Sequence, residues 1–363
     1  MRIARVFYLV LLVLPAIFPQ DFFSMEEALF NYREVKTLDL SGTDLGENIN
    51  QITRLTNLRV LYLRNCNLKE LPSIIFKIRH LKELYLSNNR LSKISNKISR
   101  LIKLEILELN ENELITIPDE IGELINLNEL YVNENKLTQL PRAISFLTQL
   151  KVLELNSNQL EKFPWEIKSL TNLEILKLED NKIYEIPSII ERLQKLKTLI
   201  IASNKLSQLP VKFAKLKNLL LLDLSHNEFQ DFPKIITDLS KLQVLVFNNN
   251  QLFILPKEIE NFKQLHSLEI GMNQLSILPF EIGKLTRLKI LEVHSNHLKE
   301  LPIEIGYLVE LEVLHLRHNL LEKIPKEISN LQKLKNINLK NNNISNEEKE
   351  KIRLLFPKVI ISL

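Results

Sequence analysis

The sequence predicts an α/β solenoid built from stacked repeats, and three observations lead to this prediction. Apolar residues recur every 23 residues from Val35 to Leu334, at fourteen positions without an insertion or deletion. Within each unit, apolar and polar residues alternate over six positions, which is the period of a β-strand with one buried face. The chain of 363 residues is 45% hydrophobic and 25% charged, which is typical of a folded protein.

Each unit follows the pattern L-x-x-L-x-L-x-x-N-x-L-x-x-L-P-x-x-I-x-x-L-x-x. A unit of this length cannot bury its seven apolar positions by itself, whereas neighbouring units can share one core. We therefore expect one continuous stack of coils. The unit that begins at Leu127 shows the pattern with Leu130, Val132, Asn135, Leu137, Leu140, Pro141, Ile144 and Leu147.

The ninth position of the unit is asparagine in twelve of fourteen units, and the exceptions are Thr43 and Cys66. An amide side chain both donates and accepts hydrogen bonds, so it can satisfy backbone groups where the chain turns out of the strand. The pattern predicts a structural ladder along the stack. Its members are Asn89, Asn112, Asn135, Asn158, Asn181, Asn204, Asn227, Asn250, Asn273, Asn296, Asn319 and Asn342.

Proline follows the outer leucine in eleven of twelve interior units, and Ser95 is the exception. Proline fixes φ and has no N–H group, which disfavours a second sheet on the outer side of the coil. We expect irregular structure and short helical turns there.

The unit resembles the leucine-rich repeat, over residues 35 to about 356. The resemblance implies a right-handed arc of about 14 repeats, with parallel strands on the concave face and irregular or short helical turns on the convex face. Units of this class are similar to those of exported bacterial leucine-rich-repeat proteins and of intracellular scaffolds that bind small GTPases. The family consists of interaction modules, so the resemblance implies a protein that is not an enzyme.

The first twenty residues have the features of a secretory signal peptide. Arg2 and Arg5 precede an apolar run over residues 6–18, which is short for a membrane span. This predicts a secreted, cell-surface or periplasmic protein. The run lacks a clean cleavage motif, so a retained membrane anchor and a buried N-terminal element of a cytoplasmic protein are the alternatives.

The termini of the repeat array are predicted to carry caps, because an uncapped coil would expose its apolar face. Capping boxes at Ser24 and Ser345 each place a glutamate three residues later, which predicts a helix at both ends. We expect a helical cap over 21–34, the solenoid over 35–344, and a helix followed by a strand over 345–363.

Composition and motifs narrow the function. The net charge is +4, and +2 without Arg2 and Arg5, which gives no general attraction to nucleic acid or anionic membrane. The single cysteine, Cys66, cannot form an intrachain disulfide and occupies a ladder position. No catalytic or phosphate-binding motif is present in the sequence. We therefore expect no cofactor, no metal and no small-molecule substrate.

Positions three, five and seven of each unit are predicted to face out of the concave sheet, where parallel strands align them in columns. The N-terminal part of this face combines tyrosines with carboxylates, and rigid aromatics beside one sign of charge are typical of interface anchors. A basic protein partner would complement it. The residues of this N-terminal zone are Tyr62, Glu83, Tyr85, Glu108, Glu129, Tyr131 and Glu154.

Two further zones follow along the same face. A central zone is predicted to expose contiguous apolar side chains, which is typical of a contact site. A C-terminal zone combines histidine with glutamate, which leaves open a metal site. The central residues are Ile200, Leu221, Val244 and Val246, and the C-terminal residues are Glu292, His294 and His315.

The leading hypothesis is an exported bacterial protein that binds a protein, or a surface glycan, on its concave face. The same fold also serves intracellular scaffolds for a small GTPase or a signalling enzyme, and it can form a purely structural array. A metal-dependent hydrolase at His294 and His315 is the remote alternative. Membrane association is expected only if the N-terminal segment is retained as an anchor.

Overall fold

The computed structural model describes residues 21–356 and 359–363, and within them it shows one open parallel sheet of 16 strands in sequence order. Consecutive repeat strands pair in register 23 residues apart, as where Leu222 lies opposite Leu245. The predicted solenoid is therefore confirmed. The predicted signal peptide, residues 1–20, lies outside the described residues. In the described part of the chain, no helix is long and apolar enough to cross a membrane.

Most strands are three residues long, with a buried central residue between two half-buried ones. They are β1 (Asp21–Phe22), β2 (Thr37–Asp39), β3 (Val60–Tyr62), β4 (Glu83–Tyr85), β5 (Ile106–Glu108), β6 (Glu129–Tyr131), β7 (Val152–Glu154), β8 (Ile175–Lys177), β9 (Thr198–Ile200), β10 (Leu221–Asp223), β11 (Val244–Val246), β12 (Ser267–Glu269), β13 (Ile290–Glu292), β14 (Val313–His315), β15 (Asn336–Asn338) and β16 (Ile360–Ser362).

The opposite side of each coil forms short 3₁₀ helices, as the proline pattern predicts. In most units proline is the N-cap, for example Pro141 with φ −69°. The 3₁₀ helices span Glu47–Arg54, Ile75–Lys77, Asn96–Arg100, Asp119–Glu123, Arg142–Phe146, Trp165–Ser169, Ser188–Arg192, Val211–Lys215, Lys234–Asp238, Lys257–Asn261, Phe280–Lys284, Ile303–Tyr307 and Lys326–Asn330.

The core runs between the sheet and the 3₁₀ helices as one apolar cluster from Met25 to Phe356. The first, fourth and sixth positions of the unit, such as Leu150, Leu153 and Leu155, are fully buried. Each such side chain contributes roughly 1.5–3 kcal/mol relative to an exposed one. The coils therefore stabilise one another across every repeat boundary.

The asparagine ladder holds the turn that follows each strand. The Asn204 Nδ2 donates to the backbone oxygens of Leu178 and Ile201, at 2.9 and 3.3 Å, and its Oδ1 accepts from the N–H of Ile183 at 2.8 Å. The preceding residue, Ser203, has the left-handed φ of 53° that this turn requires. The Asn204 side chain therefore joins the backbone of its own coil to that of the preceding coil.

Helices cap both ends. The Ser24 hydroxyl accepts from the N–H of Glu27 at the start of α1 (Met25–Phe30), and Ser345 does the same for α2 (Asn346–Leu355). Not every apolar residue of these helices packs inward: Phe30 is 89% exposed and Leu355 is 42% exposed. β1 was not predicted, and it extends the sheet beyond the first repeat.

Candidate binding surface on the inner face

The inner face of the sheet presents the third, fifth and seventh positions of each unit in columns. The parallel register places Tyr62 beside Tyr85, and Tyr85 beside Glu108. These side chains are half-buried because each is covered on two sides by its column neighbours. The columns are therefore where the sequence predicts them, and the side chains within them contact one another.

A stacked aromatic cluster lies in the N-terminal zone. The rings of Tyr62 and Tyr85 lie 4.4 Å apart at an interplanar angle of 11°. The Arg64 guanidinium lies over both rings, at 5.1 and 4.6 Å from their centroids. Its Nε and one terminal nitrogen donate to the two carboxylate oxygens of Glu108, at 2.8 and 2.7 Å. Cation–π contact and a bidentate ion pair thus fix the four side chains together.

Two tyrosine hydroxyls donate to carboxylates on the same strand. Tyr85 donates to Glu83 at 2.8 Å, and Tyr131 donates to Glu129 at 2.6 Å. Burial and these hydrogen bonds raise the pKa of both tyrosines well above the usual value. Both phenols therefore stay neutral at physiological pH and hold the rings in one orientation.

The N-terminal zone is less negative than its carboxylates alone predict. Glu154 pairs with the Lys177 Nζ at 2.7 Å, much as Glu108 pairs with Arg64. Among the described residues, no cation lies within ion-pair distance of Glu83 or Glu129. A net negative charge therefore remains. The predicted site omitted Arg64 and Lys177, although each stands in a column beside the residues that it contacts.

The prediction of an exposed apolar central zone is wrong for two of its four residues. Ile200 is 2% exposed and Val246 is 8% exposed, whereas Leu221 and Val244 are half-buried. Ile200 and Val246 both lie beside Asp223 in the sheet register. Side chains one strand apart in the same column cover each other, which alternation along a single strand does not reveal.

The C-terminal zone is built around one hydrogen bond between a histidine and a carboxylate. The Nδ1 of His315 lies 3.0 Å from a carboxylate oxygen of Glu292, and the His294 Nε2 lies 4.0 Å from the other. Burial acts to raise the pKa of Glu292, but the hydrogen bond to His315 and the nearby positive charges outweigh it and lower the pKa. The His294 ring occupies the space above Gly271, where an added Cβ would lie 2.6 Å from Nε2.

The described residues contain no group of three or more His, Cys, Asp or Glu side chains arranged to hold a metal ion. Burial and the positive charge of Arg317 lower the pKa of His294. The geometry is that of a hydrogen bond between His315 and Glu292, with the His294 ring packed beside it. It gives no support to a metal-dependent hydrolase.

A depression of about 860 Å³ opens on the inner face beside this zone. Asp223 and Glu269 line it, and both are buried. Asp223 accepts hydrogen bonds from the N–H and hydroxyl of Ser225, and Glu269 accepts from the Ser267 hydroxyl at 3.2 Å. Burial raises the pKa of both carboxyls, and with the nearby charge of Glu292 it raises the pKa of Glu269 to about 7. The predicted site omitted both residues.

A second amide ladder runs along the seventh positions of four adjacent units. The Asn133 N–H donates to Asn110 Oδ1 at 2.8 Å, and the Asn156 N–H donates to Asn133 Oδ1 at 2.8 Å. The Glu179 N–H donates to Asn156 Oδ1 at 2.9 Å. These amides hold the edge of the inner face in place, and the recurrence of asparagine in one column is the sequence signal for them.

An open parallel sheet, a convex side of 3₁₀ helices and an unbroken 23-residue register define the chain as a repeat solenoid of the protein-interaction class. The leucine-rich repeat region family matches residues 16–140 and 199–296, and the leucine rich repeat family matches residues 286–344. The chain belongs to the leucine-rich-repeat family.

Solved structures of the same fold come from several sources. A leucine-rich-repeat protein of Leptospira interrogans is 34% identical with a TM-score of 0.73, and the match covers 95% of this chain and 100% of that one. An internalin of Listeria monocytogenes is 23% identical, with a TM-score of 0.70 over 93% of this chain and 88% of that one. A TDR receptor is 26% identical with a TM-score of 0.72, over 89% of this chain and 58% of the receptor. No curated protein matches the chain.

Proposed function

We propose that this chain is an exported bacterial protein that binds another protein on its inner face, with the N-terminal zone as the main contact. The observation that carries the proposal is the stacked cluster of Tyr62, Tyr85 and Arg64 with Glu108. Side chains already fixed in one orientation lose little conformational entropy on binding. Tyrosine and arginine are also the residue types that dominate interface energetics.

The partner that best complements this zone is basic. Among the described residues, no cation lies within ion-pair distance of Glu83 or Glu129, and the tyrosine hydroxyls donate hydrogen bonds to both carboxylates on the inner face. Complementary charge raises the rate of association and favours the correct partner over others. The central Leu221 and Val244 extend the same face as half-buried apolar contacts.

Replacing Tyr85 and Tyr131 together by alanine is expected to reduce partner capture at least tenfold. The double variant removes two aromatic anchors, each of which contributes on the order of 1–2 kcal/mol in an interface. Capture is measured by affinity purification with the mature chain as bait, followed by quantification of the recovered protein with and without the substitutions.

The matched control is the double variant Phe146→Ala with Tyr307→Ala. Both aromatics are exposed on convex 3₁₀ helices, at 64% and 56%. This control should retain full capture. If it loses capture while the tyrosine variant retains it, the contact surface lies on the convex side and the proposal is wrong.

Export is supported by the basic residues Arg2 and Arg5 and by the apolar run of residues 6–18 that follows them. A bacterial origin is supported by the 34% identity with the Leptospira protein. We expect N-terminal sequencing of the chain from a bacterial culture to find a mature start near residue 21 in the exported fraction. Recovery of the chain from the cytosol with Met1 intact would instead favour the intracellular scaffold.

A further inference from the structure

The half-buried and buried carboxylates of the inner face differ in whether a cationic side chain or a histidine contacts them. Glu108, Glu154 and Glu292 each contact a cationic side chain of this protein or a histidine. Asp223 and Glu269 are 8% and 3% exposed, and no cation of the described chain lies within ion-pair distance of either. Their hydrogen-bond donors are hydroxyl and amide groups, which leave the negative charge uncompensated.

There is room for a cation beside Glu269. Arg64 pairs with Glu108 from 44 residues earlier in the chain, and the residue in the same relation to Glu269 is Ser225. The small side chain of Ser225 lines the depression of about 860 Å³. The chain therefore has a small side chain beside Glu269 where it has an arginine beside Glu108.

The shape of the depression fits a side chain with an apolar stem and a charged end. Its apolar lining consists of Val244, Val246, Ile290 and Val313. β10 and β12 are separated by β11, so Asp223 and Glu269 stand two strand spacings apart, roughly 9–10 Å. A cation above Val246 would lie about midway between the two carboxylates. Pairing there would offset the desolvation of both groups.

We infer that this depression binds one lysine or arginine side chain of the protein partner, with its stem on Val244 and Val246 and its charge between Asp223 and Glu269. The inference rests on the proposed function, since it assigns one side chain of the same partner to a second contact on the inner face. It predicts a partner that is basic at two points along the arc.

The charged groups around Glu269 determine how binding depends on pH. The acidic groups that line the depression are Asp223 and Glu292, and the basic or titratable ones are His266, Lys289, His294, His315 and Arg317. Glu269 must be ionised to pair with the cation, and its pKa is about 7. Affinity for a cation therefore rises with pH.

The probe is N-acetyl-arginine methylamide, and N-acetyl-citrulline methylamide is its uncharged counterpart of the same shape. Titration into the full chain with ¹³C-labelled carboxyl groups should shift the Glu269 and Asp223 resonances with the arginine probe only. The dissociation constant should fall about ninefold from pH 6 to pH 8, as the ionised fraction of Glu269 rises from about one-tenth to about nine-tenths.

Glu269→Gln combined with Asp223→Asn should abolish the response to the arginine probe, because both amides keep their shape and lose the charge. The charge-matched control, Glu260→Gln on the convex Lys257–Asn261 helix, should respond as the unmodified chain does. Thermal melting of each variant checks that it is folded. If the double variant does not fold, Glu269→Gln alone is tested in its place, and it should weaken the response to the arginine probe.

Three outcomes would overturn the inference: equal responses to the arginine and citrulline probes, an undiminished response in the double carboxyl variant, or a response only to N-acetyl-glutamate methylamide at Arg317 and His315. These outcomes leave tyrosine-dependent partner capture untouched. A failure here is thereby distinct from a failure of the proposed function, which the Tyr85 and Tyr131 substitutions test.

Discussion

Replacing Asn204 by alanine is expected to lower the free energy of unfolding by about 2–3 kcal/mol. The substitution leaves the Ile183 N–H without its partner in a buried turn, and the Leu178 carbonyl keeps only the Asn181 side chain as a donor. A buried polar group left unsatisfied costs roughly 1–3 kcal/mol. Because Ile183 and Leu178 belong to the preceding coil, the loss weakens the contact between two repeats. Urea unfolding followed by circular dichroism measures the loss.

The control is Asn172→Ala. Asn172 also donates to the backbone of the preceding coil, to Thr148 at 2.8 Å, but its hydrogen bond is exposed to water. Water replaces the lost partner there, so the expected loss is under about 1 kcal/mol. Equal losses in the two variants would show that the ladder acts through something other than the satisfaction of buried backbone groups.

The fold was predictable from sequence because every unit has the same apolar pattern and packs against its neighbours in the same way. The 23-residue period determines the strand register, and Leu222 opposite Leu245 is a direct consequence of it. The 23-residue period does not predict the strands at the two ends of the sheet. β1 has no repeat pattern, and it forms because the edge of β2 offers unpaired backbone groups. Local periodicity contains no information about such an edge.

The sequence predicted which columns of the inner face the candidate site residues occupy, but not which side chains contact one another. Alternation places Tyr85 and Glu108 on the inner face, but it does not reveal that Arg64 reaches Glu108 from two strands away. Nor does it show that Val246 is covered by its neighbours. Long side chains can adopt several rotamers, and charges in other coils determine which rotamer is populated. Pairing and burial therefore required the three-dimensional structure.

Glu269→Gln is expected to stabilise the protein at pH 8 and to have much less effect at pH 5. The pKa of Glu269 is raised to about 7 by burial and by Glu292, from an ordinary value of 4.5. The folded state thus holds the proton more tightly than the unfolded state does. Stability falls as pH rises from about 4.5 to 7, where ionisation places an uncompensated charge in the depression. A shift of this size corresponds to about 3 kcal/mol at pH 8.

Comparison of the variant with the unmodified chain isolates this group, because Asp223, Glu292 and His294 titrate in both. The stabilisation by Glu269→Gln should grow by about 2–3 kcal/mol between pH 5 and pH 8. The convex Glu260→Gln variant removes the same charge without relieving burial, so its effect should stay nearly constant. A pH-independent effect of Glu269→Gln would mean that the carboxyl is not strained in the folded state. A pH-dependent effect means that the folded state places a destabilising negative charge on the inner face when Glu269 ionises.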